Sequence, residues 1–261
     1  MSEQASTPVE LSIEDGIAIA TLNRPEVRNA VDDATRIELG RIVDQVTRDG
    51  AIKALILTGK GSAFCAGGDI KAMQQRLEAP PGEVAGAGWR RQRQIHGVIA
   101  ALHRLEKPTI AAVNGAAAGL GCDLAICCDF VIAAETAIFT ESYVLRGLVP
   151  DGGGLYFLPR RVGLARAKEL IFSARRVSAH EALAIGLADR VVKPEELLPE
   201  AQRWAKQLTP GSNVARALSK SILDQSFELS AEEVFALGSQ AQAICYTTNE
   251  HREAVNEFLK R

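Results

Sequence analysis

Two glycine-rich loops place the strongest constraint on what this chain can fold into. Each follows a short apolar run and ends in aspartate: Ser62–Asp69 reads SAFCAGGD, and Asn114–Asp123 reads NGAAAGLGCD. Glycine lets the main chain approach a ligand closely, and a loop that opens a helix presents unpaired amides to negative charge. Glycines after strands are also ordinary turn residues, so it is the pairing of two such loops that points to an oxyanion-binding site.

The hydrophobic pattern predicts a mixed α/β fold in which a helix, a buried strand and a glycine loop recur. Strands are predicted at 9–13, 17–22, 54–58, 109–113, 130–134 and 137–139. Helical stripes precede the two loop-forming strands: Leu39, Ile42, Val43 and Val46, then Ile95, Val98, Ile99 and Leu102. Asp32 and Asp33 are candidate caps for the first helix. After about residue 195 the pattern is helical, with segments near 195–208, 212–227, 230–246 and 248–260.

Two further segments are predicted to be irregular. Arg146–Gly154 is a turn-rich corner before a helix. Glu78–Gly88 is rich in proline, glycine and alanine, and we expect a mobile loop there that shapes a ligand pocket together with Met73 and Trp89.

Composition excludes several classes of function. The net charge is −2 without a long basic run, which disfavours nucleic acid and anionic membrane surfaces as partners. The opening residues are polar, and no apolar stretch approaches the roughly 20 residues of a membrane span, so we expect a cytoplasmic protein.

Cysteine and histidine usage predicts neither disulfides nor a metal site. The five cysteines are an odd set without zinc-type spacing, so reduced and mostly buried thiols are expected. Cys65 and Cys122 lie in the two loops and suggest a nucleophile, but no histidine is near them in sequence. His96 and His103 share a predicted helix, yet a metal site needs further ligands, so no metal is predicted.

Seven ordered sequence blocks are together far more specific than either glycine loop. They are Leu22–Pro25 with Asn29–Ala30, Ala63–Ile70, Lys107–Pro108, Val113–Gly115, Gly119–Leu124, Cys128–Asp129 and Gly147–Gly153. In these blocks, and over nearly its whole length, the chain resembles the crotonase (enoyl-CoA hydratase/isomerase) superfamily.

The resemblance implies an α/β fold, a crotonase-like spiral of repeated ββα units with a C-terminal helical region. Residues 1–195 would form the core with the acyl-CoA site, and 196–261 would cover the CoA and join subunits into homotrimers or dimers of trimers. The substrate is implied to be an acyl-CoA thioester, which carries its own coenzyme A, so no separate cofactor is expected. The enolate oxygen would be held by the amides of Gly68 and Leu120. Positions implied to contact CoA are Val27, Arg28, Ala66, Asp69, Ile70, Phe258 and Arg261.

The acid and base residues depart from the hydratase pattern. Hydratases of the family place glutamates at the positions of Asp123 and Tyr143, and a phenol with a pKa near 10 is a poor substitute for the second one. Asp151 matches an acid found in isomerases of the family, so Asp123 and Asp151 are predicted to move a proton. Asp123 is alternatively the N-cap of a helix at 124–129, and Asp151 an ordinary turn residue. Glu141 is expected to face solvent.

The resulting prediction is an enzyme that shifts a C=C bond in an enoyl-CoA. The first alternative is an enoyl-CoA hydratase that obtains its second acid elsewhere. A second alternative is a CoA-binding scaffold with impaired catalysis, against which the two intact donor loops argue. A dinucleotide-binding domain is disfavoured because Gly115, Gly119 and Gly121 lack the required spacing.

Overall fold

The computed structural model describes residues 7–260, in which strands and helices alternate along the chain. The strands are β1 (Val9–Glu14), β2 (Ile17–Leu22), β3 (Ala54–Gly59), β4 (Ala63–Cys65), β5 (Thr109–Val113), β6 (Ala116–Ala118), β7 (Phe130–Ala134), β8 (Ile138–Thr140), β9 (Val177–Ser178) and β10 (Arg190–Val192). The helices are α1 (Asp33–Arg48), α2 (Ile70–Leu77), α3 (Pro81–His103), α4 (Leu120–Ile126), α5 (Gly154–Val162), α6 (Leu164–Ser173), α7 (Ala179–Ala184), α8 (Leu197–Leu208), α9 (Asn213–Leu223), α10 (Ala231–Tyr246) and α11 (Asn249–Leu259). Short 3₁₀ helices span Pro25–Val27, Val144–Arg146 and Pro194–Glu196.

Consecutive strands enter two different sheets. One sheet has the order β1-β2-β3-β5-β7-β10, and the other has the order β4-β6-β8-β9. The first sheet is parallel except for β1, which is antiparallel to β2. The pairs β3/β4, β5/β6 and β7/β8 each contribute one strand to each sheet, so they form successive turns of a spiral. The predicted spiral of repeated ββα units is therefore confirmed.

Side chains along the central strands alternate between the two faces of the larger sheet, and this divides the core into two clusters. Leu55 and Leu57 of β3 join the cluster that contains the fully buried Phe64 of β4. The residue between them, Ile56, packs on the other side with Trp204 of α8. Successive side chains of a strand point to opposite faces, so β3 is buried on both. Helix α8 is thus part of the packed core.

The first predicted helix is confirmed as α1. The Asp32 side chain accepts a hydrogen bond from the Thr35 amide at 2.8 Å, and Asp49 follows the last turn. The predicted apolar stripe is buried, with Leu39, Ile42, Val43 and Val46 all within the core. This arrangement lays α1 along the larger sheet at the level of the first glycine loop.

The helical character predicted after residue 195 is also confirmed. The four segments correspond to α8, α9, α10 and α11. Within the described part of the chain, no helix combines the length and apolar character needed to cross a lipid bilayer.

The loop predicted over Glu78–Gly88 is wrong, because α3 covers most of this stretch. A proline in the first helical turn is tolerated, since the amide at that position has no partner within the helix. The second half of α3 is anchored by four buried side chains: Ile95, Val98, Ile99 and Leu102. From this anchored half the helix extends back through Gly82, Gly86 and Gly88, which local propensity alone disfavours.

Truncation of Phe64 tests the core between the two sheets. Phe64→Ala should lower the free energy of unfolding by about 3–5 kcal/mol, because a buried aromatic side chain leaves a cavity. Urea denaturation measures the change. Ile37 of α1 is 62% exposed, so Ile37→Ala should alter stability by less than about 0.5 kcal/mol. Equal losses in the two variants would contradict this assignment of the core.

Candidate active site

The two glycine loops lie side by side because the strands within them pair. Ala63 of β4 pairs with Ala116 of β6, and Cys65 pairs with Ala117. Gly121 then packs so closely on the Cys65 carbonyl group that a Cβ atom would overlap it. Glycine at this position is therefore a steric requirement of the contact between the loops.

Gly67 makes the second close approach between the loops. Its φ of +96° lies in the left-handed region that side chains disfavour. A Cβ atom there would lie 2.7 Å from the Ala118 carbonyl oxygen and 3.6 Å from the Leu120 nitrogen. The main chain of the first loop consequently packs against the Ala118 carbonyl group, two residues before α4 begins.

The amides of Gly68 and Leu120 are unpaired donors in these adjoining loops. Around Gly68, the Val31 amide donates to the Gly67 carbonyl group at 2.8 Å, and the Asp69 amide donates to the Val31 carbonyl group at 3.1 Å. Leu120 is the first residue of α4, a position whose amide has no acceptor within the helix. Between residues 7 and 260, no protein group accepts a hydrogen bond from either amide. Both are free to donate to a ligand oxygen.

Asp123 lies inside α4, so its predicted role as an N-cap is wrong. The helix begins at Leu120, and the Asp123 amide already donates to the Gly119 carbonyl group at 3.0 Å. The carboxyl group is fully buried. Its Oδ2 accepts a hydrogen bond from the Tyr143 hydroxyl at 2.5 Å, whereas Oδ1 has no hydrogen bond of normal geometry.

The surroundings of Asp123 favour the neutral acid. Burial raises the pKa of the Asp123 carboxyl well above its ordinary value, and the nearby charges of Glu141 and Asp151 raise it further. The hydrogen bond from Tyr143 acts in the opposite direction without cancelling these effects. Of the two influences weighed from the sequence, burial dominates hydrogen bonding.

Glu141 is a buried acid, so the expectation that it faces solvent is wrong. The residue is 3% exposed, and neither carboxyl oxygen accepts a hydrogen bond of normal geometry, although the Cys122 thiol lies beside it. Burial raises its pKa to about 7. Side chains of a strand alternate between its two faces, so Glu141 lies on the same side of the chain as the buried Phe139 of β8. This spacing would have indicated the burial of Glu141.

The predicted corner after β8 covers Asp123 and Glu141. Only glycines, which have no side chain, fit at the positions that contact these two acids. A Cβ atom on Gly152 would lie 2.5 Å from Asp123 Oδ2, and one on Gly154 would lie 2.6 Å from Asp123 Oδ1. The Gly154 position is also 3.2 Å from Glu141 Oε2. Side chains at either glycine would displace the carboxyl groups. Asp123 and Glu141 therefore meet at the start of α5.

Asp151 lies on the open side of this corner. Its Oδ2 is 3.4 Å from His96 Nε2 of α3, and 27% of its side chain is exposed. The two residues line a cavity of about 670 Å³ with Tyr156 and Phe157. No role for His96 follows from the sequence beyond the metal site considered above. The structure thus brings Asp151 near Asp123 and pairs it with an imidazole.

Four of the positions predicted to contact CoA lie together beside the first loop. Arg28 adopts a left-handed conformation with a φ of +53°, and its carbonyl group accepts from the Ala66 amide at 2.9 Å. Val27 ends the preceding 3₁₀ helix, and Ile70 begins α2 with 60% of its surface exposed. These residues form one surface next to Gly68.

The other predicted CoA contacts are placed differently. Asp69 Oδ2 accepts from both guanidinium nitrogens of Arg24 at 3.3 Å, and its Oδ1 accepts from the Lys71 amide at 2.9 Å. Phe258 lies near the end of α11 and is 77% exposed. Arg261 lies outside the described residues. The assignment of all seven positions to CoA stays a prediction.

The loop cysteines have the character of structural thiols. Cys65 and Cys122 are both buried. Burial raises the pKa of Cys65 to about 12, and burial together with the neighbouring acids raises that of Cys122 as well. A thiol must ionise to act as a nucleophile, so the environment argues against that alternative.

Comparison with known sequences accounts for the paired loops. A sequence model of the family described as enoyl-CoA hydratase/isomerase matches residues 12–261. The chain belongs to the enoyl-CoA hydratase/isomerase family. The predicted membership of the crotonase superfamily is confirmed, and the chain is an acyl-CoA enzyme of the hydratase or isomerase type.

Relatives in the enoyl-CoA hydratase/isomerase family carry both kinds of name. A crotonyl-CoA hydratase of Syntrophomonas wolfei is 38% identical over 96% of this chain and 94% of its own length. A 1,2-epoxyphenylacetyl-CoA isomerase of Escherichia coli is 35% identical over 95% of this chain and 94% of its own length. The crystal structure of an enoyl-CoA hydratase/isomerase from Cupriavidus metallidurans aligns with a TM-score of 0.90 at 33% identity, covering 98% of this chain and 95% of that one.

Substitution of Gly67 tests the contact between the loops. Gly67→Ala should lower kcat toward an enoyl-CoA by about 100-fold, the effect of losing one oxyanion donor, because the added methyl group overlaps the Ala118 carbonyl oxygen and pushes the two loops apart. Steady-state kinetics measure this loss. Gly50→Ala is the control, since a Cβ atom there has no neighbour within 4 Å and the residue lies outside both loops and the predicted ligand pocket. Unchanged kcat in a folded Gly67→Ala protein would contradict the role of this contact.

Proposed function

We propose that this enzyme moves a carbon–carbon double bond along the acyl chain of an enoyl-CoA. The observation that carries the proposal is the hydrogen bond from Tyr143 to Asp123. Family resemblance implies that hydratases have a second glutamate at the position of Tyr143. Burial raises the pKa of the Tyr143 phenol above its ordinary value, so the hydroxyl stays protonated and is a poor base for activating water.

The thioester carbonyl oxygen is proposed to lie between the amides of Gly68 and Leu120. Both amides lack a protein acceptor in the described chain, and the loops that carry them are in contact. Removal of a proton beside a thioester places negative charge on this oxygen. One donor aimed at such an oxygen contributes about 3 kcal/mol to transition-state stabilisation.

Asp151 and Asp123 are proposed to exchange protons with the acyl chain. Asp151 lies at the cavity and takes a proton from one carbon, whereas Asp123, whose raised pKa favours its neutral form, returns a proton to another. One proton leaves the acyl chain and one returns, so the product has the composition of the substrate. Asp151 then releases its proton and Asp123 takes one up, by exchange with solvent, which restores the site. The reaction requires no cofactor beyond the CoA that the substrate carries.

The CoA itself is proposed to lie along the surface formed by Val27, Arg28, Ala66 and Ile70, beside Asp69. Arg28 is exposed and supplies a cation suited to a phosphate group. The C-terminal positions Phe258 and Arg261 are proposed to complete the nucleotide site.

We also propose that residues 196–261 join subunits into a trimer or a dimer of trimers. Large apolar side chains of this region are exposed in the single chain: Leu223, Phe227, Phe235, Tyr246, Phe258 and Leu259. Large apolar side chains exposed in a single chain are candidates for a subunit interface. Light scattering of the purified protein counts the subunits.

Hydration of a 2-enoyl-CoA is the second candidate function. Its specific support is Glu141, a second buried carboxyl group that meets Asp123 beside Gly154. Two carboxyl groups can hold and deprotonate a water molecule, and several relatives are named hydratases. The candidates differ in whether water enters the product.

Incubation with a 3-enoyl-CoA and, separately, a 2-enoyl-CoA in deuterated buffer distinguishes the two functions. NMR and mass spectrometry of the products should show a shifted double bond with no 3-hydroxyacyl-CoA. Rapid formation of 3-hydroxyacyl-CoA from the 2-enoyl substrate would overturn the proposal in favour of hydration.

Isosteric replacement of the two aspartates tests their roles. Asp123→Asn and Asp151→Asn should each lower kcat by at least about 100-fold, because each loses a group that transfers a proton. Circular dichroism should show that both variants keep the fold. Asp44→Asn removes a charge that is 58% exposed on α1 and should leave kcat unchanged. Unaltered turnover in either site variant would remove that residue from the mechanism.

A further inference from the structure

We propose that Glu141 is the positioning residue that holds Asp123 in its neutral, proton-donating form. This inference rests on the proposed function only in assigning proton donation to Asp123. We assign Glu141 no contact with substrate: it acts through the Asp123 carboxyl group, beside which it lies at Gly154.

The geometry joins the two carboxyl groups at one point. A Cβ atom added to Gly154, the first residue of α5, would lie 2.6 Å from Asp123 Oδ1 and 3.2 Å from Glu141 Oε2. Both oxygens lack a hydrogen bond of normal geometry to the protein. Asp123 Oδ2, by contrast, is fixed by the Tyr143 hydroxyl. The unpaired oxygens of two buried acids therefore face the same small space.

The Gly154 amide at the start of α5 lowers the pKa of Asp123, but no cationic side chain of the described residues pairs with either acid. The titratable groups around the pair are the thiols of Cys122 and Cys127, the phenol of Tyr143, the carboxyl of Asp151 and, beyond Asp151, the imidazole of His96. Within residues 7–260, no lysine or arginine forms an ion pair with Asp123 or Glu141. Two buried like charges without a partner are strongly disfavoured, so the pair retains a proton.

Asp123 has a second acidic neighbour, Asp151, besides Glu141, so we place the retained proton on Asp123. Burial raises the pKa of both groups, that of Glu141 to about 7, and the charge of Glu141 adds to the rise at Asp123. When Glu141 ionises near neutral pH, its negative charge thus keeps Asp123 protonated. Asp151, part exposed and beside His96, is outside this pair and available as the base.

A titration without substrate tests the proposal. The carbonyl band of the protonated Asp123 acid is followed against pH by infrared difference spectroscopy and assigned by its loss in Asp123→Asn. Glu141→Gln removes the negative charge, so Asp123 should lose its proton at a pH lower by about 1 unit or more. The high-pH limb of kcat/KM should move in the same direction, because turnover needs the protonated acid. An unchanged Asp123 titration in folded Glu141→Gln protein would overturn the proposal.

Two further variants separate charge from packing. Glu141→Asp keeps the charge and should restore the wild-type titration and pH profile, which a purely structural role would not require. Glu135→Gln removes a charge from an exposed position and should change neither. If Glu141→Gln does not fold, Glu141→Asp alone tests the proposal. In that variant, loss of the Asp123 proton at a pH clearly below the wild-type value would overturn the proposal. Absence of double-bond migration would refute the proposed function and leave the titration result standing.

Discussion

The backbone contact between two glycine loops is the constraint on which the rest of the site depends. Parallel pairing of β4 with β6 brings the loops together, and Gly67 and Gly121 allow their main chains to touch. This contact leaves the amides of Gly68 and Leu120 without protein acceptors. Since both donors belong to backbone packed against the core, the site is organised before a ligand arrives.

The same helix that supplies one amide also supplies the acid. Because α4 begins at Leu120, Asp123 lies one turn later, buried beneath the corner that precedes α5. The corner contributes Asp151 on its open side and two glycines on its buried side. The acids thereby occupy different environments, one dry and one facing a cavity. Such a difference is what the proposed division into a proton donor and a proton acceptor requires, without a change in residue type.

The parts of the fold that follow from periodicity could be predicted from the sequence. The buried stripe of α1, the strands before both loops and the four C-terminal helices all show patterns that packing reinforces. The start of α3 could not, because its glycines have weak helical propensity and no residue from 82 to 94 is buried to form an apolar stripe. Asp123 resembled a helix cap because the start of α4 is set by its contact with the first loop. Glu141 was missed because polar residues are usually exposed, and only its spacing from Phe139 indicated burial.

The most direct test of the account is the infrared spectrum of a ¹³C-labelled thioester carbonyl in an unreactive acyl-CoA bound to the enzyme. If the Gly68 and Leu120 amides both donate to that oxygen, the carbonyl band should move to lower frequency than in water, and Gly67→Ala should reduce the shift. A band at its position in water, in an enzyme saturated with the acyl-CoA, would contradict the assignment of these two amides.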